Sequence, residues 1–479
     1  MAEHSPPDPA TSGLRAKIVK GGIALVILQI VTIGLRLAGM IFITTLMGPG
    51  KFGPYIAAFG IFSFVLGIGQ SGIGVFLMRQ PGRMTPAQIG TATTLLLLMA
   101  VLIVGSIELA AGAISQYVRI PGFLMSLRIM ILALPLQTMS IPALTKIRRN
   151  MDLTGMAVIE LLGLLSYYAL AVPLLLHDHG AAALAGCLVF QYAVMIVLAY
   201  LRAGEGLCLQ WDGPIAANIC RYTFSFSSAN YIWQARSLVN PLVVGPVLGP
   251  AAAGIIGLTV AILEILTIPR GMFWLVTVAA LGKVQGDLDR VRRAITEGME
   301  LQVLVIAAIL LLFGWVGEGV MLRSFGVYGK SLFRVYPYVA LLYLTIAAFN
   351  MHTAVLSVFD RNWWLAFYQA VHVAVFFAAT AILIPAFGLI GYGYSEIGAI
   401  VTYPLLHMLV ARRVGAPDYR LTMLWGGAAA IGLFWRQIGI AAIAAPFAVL
   451  LLPVSLRRLR AIAVDLRSAI EGRRQERST

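Results

Sequence analysis

Two arginines stand inside long apolar runs of this 479-residue chain, where a charge needs a chemical reason. Arg36 lies in the first run, and Arg236 lies in a run in the second half of the chain. Insertion scales put the cost of a charge at the centre of a membrane helix at about 2.5–3.5 kcal/mol. A guanidinium kept there can bind an anion through two parallel N–H bonds, or it can form a structural pair with a carboxylate. We expect the first role for both arginines, and the second role is the alternative.

A polar stretch surrounds Arg236. The segment from Ser225 to Asn240 reads SFSSANYIWQARSLVN, which is too polar to face lipid. On a helix, four of its polar residues fall within roughly an 80° arc, and three further residues adjoin that arc. The residues of the arc are Ser227, Asn230, Gln234 and Ser237, and the adjoining ones are Trp233, Arg236 and Asn240. Such a face must look into a bundle interior or a water-filled cavity, so we predict that these residues line a cavity.

A Gly/Pro turn follows each arginine. The turn Met47-Gly-Pro-Gly-Lys-Phe-Gly53 has a counterpart in Leu248-Gly-Pro-Ala-Ala-Ala-Gly254, which lies 201 residues later (Gly48 to Gly249). A turn and a costly charge that recur together predict two halves of similar build. Internal repeats of this kind are common in membrane transporters.

The composition excludes a soluble globular protein. Hydrophobic residues make up 60% of the chain, charged residues make up 11%, and the mean hydropathy is +0.89. Soluble domains are about 45–50% apolar and about 25% charged. We predict an all-α integral membrane protein, a polytopic bundle of about 14 transmembrane helices in two pseudo-symmetric six-helix lobes plus a C-terminal pair.

The apolar runs and the hydrophilic breaks between them define the predicted segments. The predicted spans of the N-lobe are 21–47, 53–78, 89–113, 123–145, 154–176 and 181–201. Those of the C-lobe are 222–247, 254–281, 299–316, 332–358, 363–386 and 390–411. The predicted domains are a disordered cytosolic N-terminus (1–16), the N-lobe (17–203), a linker (204–214), the C-lobe (215–413), two C-terminal helices (421–454) and a basic cytosolic tail (455–479).

The charge distribution predicts topology rather than nucleic-acid binding, in spite of a net charge of +15. Most of the 35 lysines and arginines stand at alternate ends of the predicted spans, so both termini are predicted to be cytoplasmic. The stretch from Lys283 to Met299 has apolar residues at helical spacing. We predict an amphipathic helix there on the cytoplasmic surface, which either binds anionic membrane lipids or anchors the topology. The three cysteines, Cys187, Cys208 and Cys220, form no motif, and no metal site is expected.

Three motifs resemble those of Wzx-type polysaccharide flippases, the oligosaccharide exporters related to the lipid II flippase and to the MATE drug exporters. Met47-Gly-Pro-Gly-Lys-Phe-Gly-Pro-Tyr55 is similar to their LGP-x-x-F/Y-G-x-Y turn. Ile141-Pro-Ala-Leu-Thr-Lys-Ile-Arg-Arg-Asn-Met-Asp152 is similar to their P-x-x-L-…-R-x-M-D loop, and Pro385-Ala-Phe-Gly-Leu-Ile-Gly391 to their P-x-F/Y-G-x-x-G link. The resemblance covers residues 17–413, with Asn240 standing where an acidic residue is expected.

The resemblance implies a membrane transporter, not an enzyme, that flips lipid-linked oligosaccharide of the undecaprenyl-pyrophosphate type across the bacterial inner membrane by alternating access. Such transport serves exopolysaccharide, capsular or O-antigen synthesis. Arginines suit a pyrophosphate, and amide and aromatic side chains suit sugars. The implied substrate-binding residues are Arg36, Asn230, Trp233, Gln234, Arg236 and Asn240.

Two acidic residues, Glu264 and Glu396, are candidates for coupling transport to a proton or a sodium ion, and Arg270 is an alternative structural partner of Glu264. No other cofactor is expected. The expected partners are the lipid-linked oligosaccharide, membrane lipids and a polysaccharide polymerase or export machinery, with no nucleic acid.

Two other functions stay open. A MATE-like antiporter of cationic drugs should have a net acidic cavity, whereas a net basic cavity is predicted here. A polysaccharide polymerase or ligase should carry a large periplasmic loop, and only short outer loops are predicted. No nucleophile elbow, phosphate-binding loop or paired-Asp motif indicates an enzyme. His352, His372 and His407 are isolated in apolar spans and are interpreted as packed side chains.

The topology can be tested with reporter fusions along the chain. Because basic residues mark the cytoplasmic ends of spans, we expect one set of positions to report a cytoplasmic location and another set an external one. The cytoplasmic set is Met1, Lys146, Lys283, Arg412 and Arg457, and the external set is Lys51, His179, Pro250 and Pro385. An external Arg457 would contradict the fourteen-helix count and leave the first twelve helices unaffected.

Overall fold

The computed structural model describes residues 9–464 apart from 71, 81, 83, 205 and 285. Side chains are described from residue 28 onward, apart from 225, 226, 272, 275, 276, 279, 280, 283 and 284. The described part is 89% helical and contains no strand, which confirms the predicted all-α fold.

Twenty α-helices follow one another along the described residues. In the first half they are α1 (Pro9–Gln70), α2 (Ile73–Arg79), α3 (Pro86–Val118), α4 (Phe123–Ile131), α5 (Ala133–Met139), α6 (Ile141–Arg149), α7 (Leu153–Leu176) and α8 (Ala181–Ala203). In the second half they are α9 (Gly213–Gln234), α10 (Gly245–Leu266), α11 (Ile268–Val284), α12 (Leu288–Phe325), α13 (Val327–Val358), α14 (Asn362–Phe387), α15 (Leu389–Ile400), α16 (Tyr403–Val414), α17 (Arg420–Leu433), α18 (Trp435–Ile438), α19 (Ala444–Leu450) and α20 (Pro453–Val464).

The described helices form ten segments that are long and apolar enough to cross a membrane, or eleven with the bent pair α19–α20. Two of the ten, Leu28–Arg79 and Ser227–Leu266, are each interrupted by a glycine with non-helical dihedral angles. The chain is therefore a multi-pass membrane protein. The count of fourteen helices stays a prediction, since α17, α18 and α19 are short and α19 and α20 meet at 61°.

The repeated turn brings the two halves together. Gly48 and Gly249 hold equivalent places in the repeat, and both have the positive φ (71° and 81°) that glycine adopts without a steric penalty. A Cβ atom on Gly53 would lie 2.1 Å from the carbonyl oxygen of Pro250, and one on Gly254 would lie 2.3 Å from that of Pro49. Pro250 and Gly254 are the repeat counterparts of Pro49 and Gly53. The contact is thus reciprocal, as it would be between two halves related by a pseudo-two-fold axis.

Each half packs around its own helices. In the first half α1 lies against α4, α7 and α8, and in the second half α12 lies against α13 while α14 lies against α15. The C-terminal helix α17 packs on α12 and α13. Trp425 on α17 donates an indole N–H to the Ser455 hydroxyl at 3.0 Å, and the Arg458 guanidinium binds the Glu300 carboxylate at 2.6 Å. These bonds join α20 to α17 and α12.

The prediction of a surface helix at 283–299 is wrong about where the helix lies. Residues from Leu288 onward form the first turns of α12, which continues through the bundle to Phe325. Its apolar stripe, Val291, Ile295 and Met299, is buried in a hydrophobic core cluster and does not face a lipid surface. The stripe is apolar because it packs against α13 and α16 side chains such as Met351 and Leu406.

The division into domains stays a prediction: the linker coincides with the break between α8 and α9, while the boundaries at 16/17 and 454/455 fall inside α1 and α20. Residues 206–212 are non-helical within the predicted linker, and α9 begins at Gly213. Helix α1 begins at Pro9, inside the stretch predicted to be disordered, and residues 1–8 lie outside the described part. Residues 465–479 of the predicted basic tail lie outside it as well.

The reciprocal glycine contact can be tested by adding a single methyl group. Gly254→Ala is expected to destabilise the protein, because overpacking a tight contact typically costs about 1–3 kcal/mol. The matched control is Gly50→Ala in the same type of turn, where a Cβ atom would meet no heavy atom within 4 Å. Thermal unfolding of the purified protein in detergent measures the difference. Equal unfolding midpoints for the two variants would show that the two turns do not pack as described.

Candidate functional site

Arg36 forms an ion pair with Glu160 between helices α1 and α7. The two helices approach closely, since a Cβ atom on Gly39 would lie 2.2 Å from the ring of Tyr168, and the Tyr168 hydroxyl donates to the carbonyl of Arg36 at 3.2 Å. The pair is partly open, because 37% of the Arg36 side chain and 36% of the Glu160 side chain are exposed. The guanidinium of Arg36 is therefore neutralised by one carboxylate but remains reachable.

Arg236 is held much more completely, within the second half. Its Nη2 lies 2.7 Å from Glu396 Oε2, and its Nη1 lies 2.6 Å from His372 Nε2. The guanidinium also lies 4.9 Å from the centre of the Trp233 ring and 4.4 Å from that of Phe376, which are cation–π distances. The Arg236 side chain is 13% exposed and that of Glu396 1%. Arg236 is paired rather than available.

These bonds fix the tautomer of His372. A guanidinium has only N–H donors, so His372 Nε2 must accept the bond from Arg236 and cannot carry a proton. His372 Nδ1 then carries the proton and donates it to the Thr402 hydroxyl at 2.7 Å. Thr402 in turn donates to the carbonyl of Ala399 at 2.8 Å. This chain of hydrogen bonds ties α14 to the junction of α15 and α16 and keeps His372 neutral.

The backbone around Arg236 is irregular. Helix α9 ends at Gln234 and is followed by a 3₁₀ turn, Ala235–Leu238, and a π turn, Asn240–Val244. Pro241 lies in the π turn and has no N–H to donate, which accounts for the change of winding. Such irregular turns within a membrane helix are frequent at functional sites.

The predicted polar arc contacts a neighbouring helix. The Ser227 hydroxyl accepts the backbone N–H of Gly72 at 2.7 Å, and the Ser237 hydroxyl donates to the carbonyl of Gly60 at 2.8 Å. Gln234 lies so close to Gly67 that a Cβ atom there would meet the glutamine Cγ at 2.4 Å. The expectation that the whole arc lines a cavity is therefore corrected. The arc is polar because glycines bring backbone groups of the first half within hydrogen-bonding reach.

The remaining predicted residues separate into three environments. Asn230 is exposed, and Trp233 stacks on His372 with ring centres 5.4 Å apart. Asn240 donates its amide N–H to the carbonyl of Ala253 at 3.0 Å and so braces the turn at Gly249. The structure therefore does not bring the six predicted residues into one cluster. Arg36 belongs to one half, Trp233 and Arg236 to a buried cluster in the other, and Asn240 to the turn.

Glu264 and Arg270, the alternative structural pair, do not form an ion pair. Within the described residues the Glu264 carboxylate makes no ion pair or hydrogen bond, although Arg270 and Arg236 lie near enough to act on it electrostatically. Arg270 lies 5.9 Å from the centre of the Tyr343 ring, and its Nη1 is buried without a hydrogen-bond partner in the described part. Glu396, and not Glu264, is the partner of Arg236.

Two of the interior arginines are neutralised. Arg36 pairs with Glu160 and Arg236 with Glu396, so the prediction of a net basic cavity is not supported by the described residues. Glu160 and His372 are the members of these clusters that the sequence did not single out. They could have been anticipated from the arginines alone. An unpaired arginine in a membrane span is costly, so an acidic or hydrogen-bond-accepting partner is expected elsewhere in a span.

The loop motif at 141–152 has a structural role. Arg149 donates to the carbonyls of Leu77 and Gln80 at 3.2 Å, at the C-terminal end of α2. Asp152 begins α7 by accepting the N–H of Gly155 at 3.0 Å and binds Arg202 at 2.7 Å. The hydrogen bond from Arg202 lowers the pKa of Asp152 below its ordinary value. The motif therefore connects the ends of four helices, α2, α6, α7 and α8.

A family model described as polysaccharide biosynthesis protein matches residues 17–326, which is more than half of the chain. The chain belongs to the polysaccharide biosynthesis protein family. No curated protein matches it. The motifs at 47–55 and 141–152 lie within the matched residues, and the resemblance to the Wzx-type flippases is confirmed.

Solved structures share the fold of this family member at low sequence identity. The lipid II flippase MurJ in an inward closed conformation has a TM-score of 0.72 and 11% identity, over 92% of this chain and 100% of that one. An inward-facing multidrug resistance MATE transporter of the MOP superfamily has a TM-score of 0.67 and 13% identity, over 81% and 98%. The MATE multidrug transporter DinF-BH has a TM-score of 0.63 and 16% identity, over 88% and 100%. Together with the family, these folds support a membrane flippase or transporter.

The pairing of Arg236 predicts a stability effect that its partner can reverse. Arg236→Ala would leave Glu396 buried and unpaired, and breaking a buried pair in this way typically costs about 3–5 kcal/mol. We expect a lower unfolding midpoint in detergent and recovery of most of the loss in the double variant Arg236→Ala, Glu396→Gln. The control is Arg128→Ala, whose pair with Glu108 is half-exposed and should contribute little. No recovery in the double variant would contradict the pairing.

Proposed function

We propose that the protein flips lipid-linked oligosaccharide of the undecaprenyl-pyrophosphate type from the inner to the outer leaflet of the bacterial inner membrane. The transport would serve exopolysaccharide, capsular or O-antigen synthesis. Membership of the polysaccharide biosynthesis protein family supports the substrate class, and the fold shared with a lipid II flippase supports transport by alternating access. A polysaccharide polymerase or export machinery is the partner that such a pathway supplies.

The accessible Arg36–Glu160 pair is the observation that carries this proposal. An ion pair with both side chains about one-third exposed contributes little to stability, so exchange of its carboxylate for another anion costs little. A pyrophosphate offers two charges and several acceptor oxygens to the bidentate guanidinium fork, against one charge from Glu160. Arg36 would therefore bind the pyrophosphate. Arg236 is bound on several sides and would hold the second half in shape.

Coupling would depend on Glu264. Glu396 is neutralised by Arg236, which acts as a tethered cation in the place that an exchangeable cation would take. The Glu264 carboxylate makes no ion pair or hydrogen bond among the described residues, so it could gain or lose a proton or a sodium ion without breaking a pair, under the electrostatic influence of Arg270. Coupling to one of these ions is part of the proposal.

The family, rather than the interior charge, favours a flippase over a MATE-like drug antiporter. With Arg36 and Arg236 each neutralised by a glutamate, neither pair presents a net negative charge that would select a cationic drug. A polymerase or ligase is disfavoured because connections such as 177–180 between α7 and α8 are only turns.

Replacing Arg36 tests the proposal. We expect Arg36→Ala to lower polysaccharide export at least about tenfold, equivalent to about 1.4 kcal/mol of lost binding, while the protein accumulates and inserts normally. Arg36→Lys should recover only part of the export, because an ammonium keeps the charge but loses the bidentate fork. Export would be measured as surface polysaccharide, and membrane insertion by immunoblotting.

The control is Arg128→Ala, which removes another arginine–glutamate pair from the first half and should leave export near its original level. Full export by a stably inserted Arg36→Ala variant would remove the basis of the proposed pyrophosphate site. Equal losses in the two variants would point to a general effect on folding.

A further inference from the structure

A pocket of about 450 Å³ lies away from both arginine pairs, between helices α2, α3 and α9. Its size falls within the roughly 300–1,000 Å³ that is usual for small-molecule sites. The residues that line it are Phe76, Gln80, Gln88, Ile215, Asn218, Arg221 and Tyr222. Neither the proposed pyrophosphate site nor the buried Arg236 cluster includes any of them.

The lining has the chemistry of a sugar-binding site. Three primary amides, on Gln80, Gln88 and Asn218, carry N–H donors, and those of Gln80 and Asn218 also present acceptors, which is what pairs of hydroxyl groups require. Two aromatic rings offer flat apolar surfaces, and no carboxylate is among the lining residues described. A cationic ligand would find no counter-charge in this lining, and a purely anionic one would find only one arginine.

The aromatic wall of the pocket is fixed before a ligand arrives. Arg79 donates to the Tyr222 hydroxyl at 3.1 Å and lies 5.8 Å from the centre of the Tyr222 ring, which in turn lies 5.7 Å from that of Phe76. Gln88 is held by the N-terminal cap of α3, where its side-chain carbonyl accepts the N–H of Thr85 at 3.0 Å. A site whose side chains are already ordered loses less conformational entropy on binding.

The pocket is built by both halves of the molecule. Helices α2 and α3 belong to the first half, and α9 opens the second. Beside the pocket the two halves are sealed by a small apolar cluster that includes Ile73, Leu96 and Ile219. Arg79 and Arg221 stand at span ends that the charge distribution predicts to be cytoplasmic. A relative movement of the halves would therefore open or close the pocket at the inner mouth.

We infer that this pocket binds a sugar of the lipid-linked substrate at the cytoplasmic mouth before transport. The inference rests on the proposed function. It adds a second subsite, which binds sugar and is separate from the anion-binding Arg36. Because its walls belong to different halves, the change from inward-facing to outward-facing would release the sugar. The pocket would therefore contribute to the choice of oligosaccharide.

Protection of a cysteine from labelling tests the inference directly. Asn218→Cys would be made in a chain carrying Cys208→Ala and Cys220→Ala, while Cys187 is buried and can remain. The purified protein in nanodiscs would be labelled with a hydrophilic maleimide. Two probes would be compared: lipid-linked oligosaccharide extracted from the producing bacterium, and undecaprenyl pyrophosphate without sugars. We expect the first to slow labelling at least threefold and the second to leave it unchanged.

The chain provides its own control. Cys220 is exposed on the same helix, two residues from Asn218 and outside the pocket, so a chain carrying only Cys208→Ala should be labelled at Cys220 at the same rate with and without either probe. Asn218→Ala in the otherwise unchanged protein should raise the substrate concentration needed for half-maximal transport and keep the maximal rate.

Two results would overturn the inference. Equal protection by both probes would make the pocket an anion site, and no protection by either would mean that the pocket does not bind this substrate. The transport assay tests the proposed function independently of the labelling result. A protein that shows sugar-specific protection but no transport of the extracted substrate would keep the pocket and refute the proposed flippase function.

Discussion

The structure depends on the cost of a charged group away from water. A membrane interior cannot hydrate a guanidinium or a carboxylate, so each needs a partner within the protein. Arg236 and Glu396 satisfy each other, and the remaining donors of Arg236 go to His372 and to two aromatic rings. This pairing determines how α9 meets α14 and α15. The same requirement joins α1 to α7 through Arg36 and Glu160, although this pair is about one-third exposed and contributes less.

Polar groups without charge are satisfied in a different way, by glycines. Where α9 meets the second part of α1, Gly60 and Gly67 have no side chains, so Ser237 reaches a backbone carbonyl and Gln234 packs directly on the helix. The turns at Gly53 and Gly254 likewise bring backbone against backbone. Small residues and neutral hydrogen bonds therefore contribute to the contacts between halves, as is common between membrane helices, beside the apolar core that the halves share.

The sequence predicted the elements better than their contacts. Apolar runs and Gly/Pro turns were enough to place most spans, because span length is set by bilayer thickness and positive φ selects glycine. They could not show which acidic residue would pair with Arg236. Glu264 and Glu396 both lie in predicted spans, and only the packing of the helices decides which of them reaches the arginine. The polar arc on α9 was recognised, but its surroundings were not, since hydrogen bonding to a neighbouring backbone and hydration in a cavity leave the same pattern in the sequence. The stripe Val291, Ile295 and Met299 was ambiguous for the same reason, because a core face and a lipid face are equally apolar.

The distribution of strong and weak contacts indicates which movement the fold allows. Removing one partner of a buried ion pair costs about 3–5 kcal/mol, whereas a neutral hydrogen bond contributes about 0.5–1.5 kcal/mol. The buried pair Arg236–Glu396 lies within the second half, and the neutral bonds Gly72–Ser227 and Ser237–Gly60 lie between halves. A movement of one half against the other would break these neutral bonds and keep the buried pair. Such a movement would alter the pocket between α2, α3 and α9 while leaving the Arg236 cluster intact.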